Sequence, residues 1–160
     1  MVVLVAFVVM FAFFRNTGKS LQTPHENKNA VVIRPPKSVR ASAADRAAAE
    51  KTLAQFFHTA VVRRRLAEAW PLATPHMKEG TSYRDWLHGN LPVFPYPAAA
   101  FGSAGETLKY SYKGVLGYDV LIVPKENGAG AKAGQQVYAC ELHDLHGRWL
   151  IDFCYPRKTL

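Results

Sequence analysis

The sequence predicts an α+β domain, with helices laid against an antiparallel sheet. Three observations lead there. Apolar residues recur at Leu53, Phe56, Phe57, Ala60 and Val61, which are the i, i+3, i+4, i+7 and i+8 positions of one helix face. From Glu106 the period changes to two, as Leu108, Tyr110 and Tyr112 alternate with Lys109, Ser111 and Lys113. Residues 135–155 then hold two β-rich runs around a polar turn at Gly147, with both cysteines of the chain, Cys140 and Cys154. Helices first and strands afterwards separate into two layers, because a sheet with one apolar face needs cover.

The elements follow in order. Ser42 with Asp45 three residues on resembles a capping box and starts the first helix. A second stripe, Val62, Leu66, Ala69 and Trp70, is out of phase with the first, so the spacing predicts two helices or one bent helix ending at Pro71. Thr74-Pro75 predicts a short helix ended by Gly80, and Thr81 caps another that stops at Gly89-Asn90. Residues 91–105 carry Pro92, Pro95 and Pro97 and are expected to cross as an irregular edge, with Phe94 and Tyr96 as an exposed contact surface. Strands are expected from Glu106 and over Tyr118 to Val123, then a Gly/Ala loop over 127–134, then the closing hairpin. Four successive strands with short connections make an antiparallel meander.

The N-terminal part has another composition. Residues 1–14 contain no polar group. As a helix they would span about 21 Å, against a hydrocarbon core of about 30 Å. The run is expected to be a membrane anchor with part of its N-terminus missing, in preference to a signal segment, since no small-residue cleavage site follows it. Residues 15–41 are expected to be a flexible basic linker, and residues 42–160 the folded domain. The net charge of +8 is uneven: residues 15–42 hold six basic groups and one acidic, whereas residues 43–160 hold 14 basic and 11 acidic. The excess thus sits in the linker, where it would meet anionic lipid. The folded part has no basic stripe interleaved with aromatics, so no nucleic-acid partner is expected.

The long helix Asp45 to Arg64, the Leu66-Ala67-Glu68-Ala69-Trp70 turn and the terminal strand Gly147-Arg148-Trp149-Leu150-Ile151-Asp152 together resemble the nuclear-transport-factor-2-like superfamily, with its SnoaL-like and ketosteroid-isomerase-like members. The resemblance covers about residues 43–157 and looks similar to membrane-associated bacterial, actinobacterial-type proteins. It implies a cone-shaped fold with a strongly curved sheet. Such folds host enzymes, ligand binders and assembly modules alike.

Five groups of residues are candidates for function. Asp119 and Asp152 interrupt apolar strands. The resemblance implies that a carboxylate inside the cone can act as a base, with His58, Tyr110 and Tyr112 as polar companions in a ligand pocket. The plainer reading has both aspartates facing solvent or bonding structurally. Cys140 and Cys154 can form a disulfide only if the hairpin register opposes them directly. Glu141, His143, Asp144 and His146 at the hairpin tip could ligate a metal, but a solvated turn explains them more simply, and no metal or cofactor is expected. Arg63-Arg64-Arg65 could hold phosphate or lipid.

No catalytic triad, phosphate loop or metal motif is visible. The expected function is therefore a non-enzymatic, membrane-tethered interaction or assembly module. It would be single-pass in the cell membrane, with the domain outside the cytoplasm, lipid bound through the N-terminal helix and a protein partner or second copy on the sheet. The alternative is a small-molecule-binding or isomerase-like enzyme built on Asp119 or Asp152.

Overall fold

The computed structural model describes residues 36–126 and 128–157. Helix α1 (Ala43–Phe56) begins at Ser42, whose hydroxyl accepts from the Asp45 amide at 3.0 Å and donates to its carboxylate at 2.6 Å. It buries Ala49, Leu53 and Phe56, one stripe at helical spacing. The last turn widens into a π-helix over Phe57–Val61, and Arg63 then takes a positive φ of 54°. This break accounts for the phase shift between the two apolar stripes. Arg63 donates to the carbonyls of Ala60 and Val93, Arg64 donates to that of Ala98, and Arg65 pairs with Glu68 at 3.2 Å. The arginine run thus secures local backbone.

Short helices follow as α2 (Leu66–Ala69), a 3-10 turn over Trp70–Leu72, and α3 (Tyr83–Leu87). The cap of α3 is Ser82, which accepts from the Asp85 amide at 3.1 Å, and not Thr81. Residues 75–80 form turns instead of the expected helix. Thr74 still acts as a cap, accepting from the Met77 amide at 3.0 Å. Tyr96, expected at the surface, is buried and donates to the Gly134 carbonyl at 2.7 Å; only its neighbour Phe94 is exposed.

The sheet has four antiparallel strands in the order β1 (Phe101–Tyr112), β2 (Val115–Pro124), β3 (Gln136–Leu145) and β4 (Arg148–Pro156). The Gly/Ala segment forms a further helix, α4 (Gly128–Ala133). The inner face of the sheet presents Leu116, Tyr118, Val120, Ile122, Tyr138 and Leu142 to the buried face of α1 and its π turn. Phe57 meets Tyr138 edge-to-face at 5.4 Å.

Two expectations are corrected here. The sheet is an open meander with β1 and β4 as its edges, so the cone-shaped architecture is replaced by a two-layer α+β one. Among the described residues no helix is long and apolar enough to cross a membrane. The apolar run 1–14 lies outside the described residues. The membrane helix, the lipid partner bound through it, the single-pass placement and the tethered-module function that rested on them are corrected accordingly.

Candidate functional site: a row of carboxylates and histidines on the open sheet face

The site originates in one extra residue. The hairpin between β3 and β4 turns on His146 and Gly147, both at positive φ (57° and 78°), which is the two-residue turn that suits strand twist. It pairs Leu145 with Arg148, and the register continues through His143 with Leu150 and Leu142 with Ile151. Then it shifts: Glu141 pairs with Phe153, and Asp152 is left over as a β-bulge. Ile151 and Cys154 therefore both face the core, while Asp152 leaves the ladder.

The bulge has two results. Cys154 comes directly opposite Cys140, and the two form a disulfide across the inner face. Asp152, 8% exposed as a residue, is turned toward the free edge of β4. There residues 73 and 74 run alongside: Ala73 bridges Ile151 in parallel, and the Thr74 amide donates to the Ile151 carbonyl at 2.9 Å. This contact brings two partners to the carboxylate. The Thr74 hydroxyl donates to Asp152 Oδ1 at 2.7 Å, and His76 Nδ1 lies 2.9 Å from Oδ2.

The neighbouring strand adds the rest. Glu141 and His143, two residues apart on β3, share the face opposite the core. His143 Nε2 lies 2.7 Å from Glu141 Oε1 and 3.9 Å from Asp152 Oδ2. The other oxygen of Glu141, Oε2, accepts from the Tyr110 hydroxyl at 2.5 Å. Tyr110 belongs to β1, two strands away. It reaches Glu141 because Gly117, paired with both residues across β2, has no side chain to block the ring. Burial, followed by the bond to the Glu141 carboxylate and its negative charge, holds the Tyr110 hydroxyl well above its ordinary pKa, so it stays a donor.

Tyr110, Glu141, His143, Asp152 and His76 thus form one row that runs from strand to strand to the β4 edge. Replacing Gly117 with alanine is expected to sever its first link, since a Cβ there would fall inside the Tyr110 ring. The ring is the end of a flexible side chain and can swing away, so the expected cost is about 1–2 kcal/mol, the value of a charge-assisted hydrogen bond. Urea unfolding of G117A, Y110F and the double variant checks this. The two losses should not add, because both remove the same bond.

The other sequence candidates lie elsewhere. Asp119 is on the same face of β2 but is held by Arg157 at 3.1 Å and Lys109 at 3.8 Å. Tyr112 stacks on Tyr110 at 5.4 Å. His58 belongs to the helix layer, edge-to-face with Phe101 at 5.3 Å, and lines a cleft of about 270 Å³ between α1 and β1. It does not join the two tyrosines. Asp144 and His146 are turn residues: Asp144 Oδ1 accepts from the Gly147 amide at 2.8 Å, and His146 supplies the left-handed position. The sequence reading missed Thr74, His76 and the pairing of Glu141 and His143 with Asp152.

The chemistry of the row is that of two carboxylates and two imidazoles, three of which converge. Such groups accept hydrogen bonds from a ligand, pass protons and coordinate cations. The ligating atoms of Glu141, His143 and Asp152 all lie within 4.8 Å of one another. Side-chain exposure rises from 9% at Asp152 through 33% at His143 to 71% at His76, so the point is buried on one side and open on the other.

Compared with known proteins, the chain matches no family model, no curated protein and no solved structure. The resemblance to the nuclear-transport-factor-2-like superfamily is corrected on that ground and on the open sheet. It rested on the order of elements and one terminal strand, which many α+β chains can share.

Proposed function

We propose that the protein binds a small polar molecule at the Glu141–His143–Asp152 cluster, with Asp152 as the fixed anchor and the imidazoles as the mobile, accessible groups. The observation that carries this reading is the convergence itself: three ligating atoms within 4.8 Å, one of them on a nearly buried carboxylate. Holding the 74–77 turn against β4 draws on Asp152 and Thr74 beside the Ala73 bridge, but it needs neither Glu141 nor His143. Burying a carboxylate costs several kcal/mol in desolvation, against which Thr74 and His76 supply hydrogen bonds.

The site differs from the carboxylate in a cone pocket that the sequence suggested. It lies on the outer face of the sheet and is open to solvent on the His76 side, which suits a small ligand. Two carboxylates offer only acceptors, so it must bring donors: an amide, an amine or a hydroxyl. The same groups can serve general acid–base steps.

The test is an NMR titration of the ¹⁵N-labelled full chain, with EDTA present, using acetamide, glycerol and methylamine as probes. Shifts are expected at Glu141, His143 and Asp152, and should vanish in Asp152→Asn. Shifts confined to the cleft around His58 and Phe101 would overturn the reading.

A further inference from the structure

We propose that the same cluster, with His76 added, is a binding site for a divalent transition-metal ion of the zinc class. This rests on the cluster being the protein's ligand site, and it names what would occupy the centre. Two imidazole nitrogens approach one carboxylate oxygen: His76 Nδ1 at 2.9 Å and His143 Nε2 at 3.9 Å from Asp152 Oδ2. Glu141 Oε1 is 2.7 Å from that same His143 nitrogen. Donors around a tetrahedral ion with bonds of about 2.0–2.1 Å stand about 3.4 Å apart. The spacings here bracket that value, and Glu141, His143 and Asp152 already lie within 4.8 Å of one another; His76 would join them by swinging its exposed ring inward.

A second observation is independent of these distances. Each carboxylate has one oxygen held by a hydroxyl and the other turned to histidine. Thr74 donates to Asp152 Oδ1 while Oδ2 faces His76 and His143. Tyr110 donates to Glu141 Oε2 while Oε1 faces His143. Metal sites are built this way, with outer donors fixing the orientation of the ligating oxygens. The backbone supports it too: Asp152 is set by the bulge, Glu141 and His143 by β3, and His76 by the turn docked on β4. Two imidazoles and two carboxylates favour zinc, cobalt or nickel over magnesium or calcium, which take oxygen ligands.

The experiment uses the tag-free full chain with its disulfide intact, freed of metal by EDTA and then dialysed. Zinc binding is measured by calorimetry, and cobalt binding by its visible absorption bands. One equivalent is expected, with low-coordinate cobalt bands. His143→Ala should weaken zinc at least about 100-fold, whereas Tyr110→Phe, which removes only an orienting donor, should weaken it about 10-fold. His76→Ala alters a mostly exposed side chain and so tests a ligand without endangering the fold. It should also change the cobalt spectrum. Asp144→Asn and His146→Asn, which keeps a residue suited to the left-handed turn position, should leave both signals unchanged. No stoichiometric binding, or equal weakening by His146→Asn, would overturn the metal site. The EDTA-treated titration with small molecules is read separately, so a failure of the metal leaves that result standing or falling by itself.

Discussion

Replacing Asp152 with alanine is expected to lower the stability of the domain by about 3 kcal/mol, within the range for breaking a buried charged network. The carboxylate ties the 74–77 turn, the β4 edge and β3 together through side chains. Its loss strands the hydroxyl of Thr74, a residue only 2% exposed, without its acceptor. That hydroxyl also accepts from the Met77 amide, so the turn that carries His76 should loosen as well. Asp152→Asn keeps the shape and an oxygen for Thr74, and should cost clearly less. Urea unfolding of both variants separates the two contributions. Equal and small losses, under about 0.5 kcal/mol, would mean that the turn is held by its backbone bonds alone.

Helix α1 was legible in the sequence because its signals are local. The Ser42–Asp45 cap and the stripe through Leu53 and Phe56 depend only on residues within a turn or two of each other. The start of β1 was not legible. Phe101-Gly102-Ser103-Ala104-Gly105 has little β propensity of its own, and it is a strand because β2 offers a paired edge over Leu121 to Pro124. The bulge was half legible. A two-residue turn at His146-Gly147 gives paired residues an odd sum, whereas cysteines at 140 and 154 need an even one to face each other. The two facts together demand one extra residue between turn and disulfide, and that residue is Asp152. What no local pattern could give is the partner set. Thr74 and His76 lie 78 and 76 residues away from Asp152 and meet it only because the 73–74 segment docks on the β4 edge.

Opening the Cys140–Cys154 disulfide is expected to cost the domain about 3 kcal/mol. The cross-link spans 14 residues, and closing a loop of about that length removes that much entropy from the unfolded chain. Both sulfur-bearing residues are almost fully buried, at 2% and 1% exposure, so a reductant reaches them only when the hairpin opens. The comparison should therefore be made by urea unfolding with and without a phosphine reductant, at equilibrium. Wild type should lose about 3 kcal/mol on reduction, and the Cys140→Ala/Cys154→Ala variant should be insensitive to it. The double variant also removes two small core groups, so it should sit somewhat below the reduced protein. The site gives a second readout. The disulfide fixes the register on one side of the bulge and the His146-Gly147 turn fixes it on the other, so Asp152 is left over only while both hold. If the turn alone sets the bulge, the amide resonances of Glu141, His143 and Asp152 should be the same in the oxidised protein and the double alanine variant. If the disulfide holds the register, they should move together, with the loss of stability concentrated at β4.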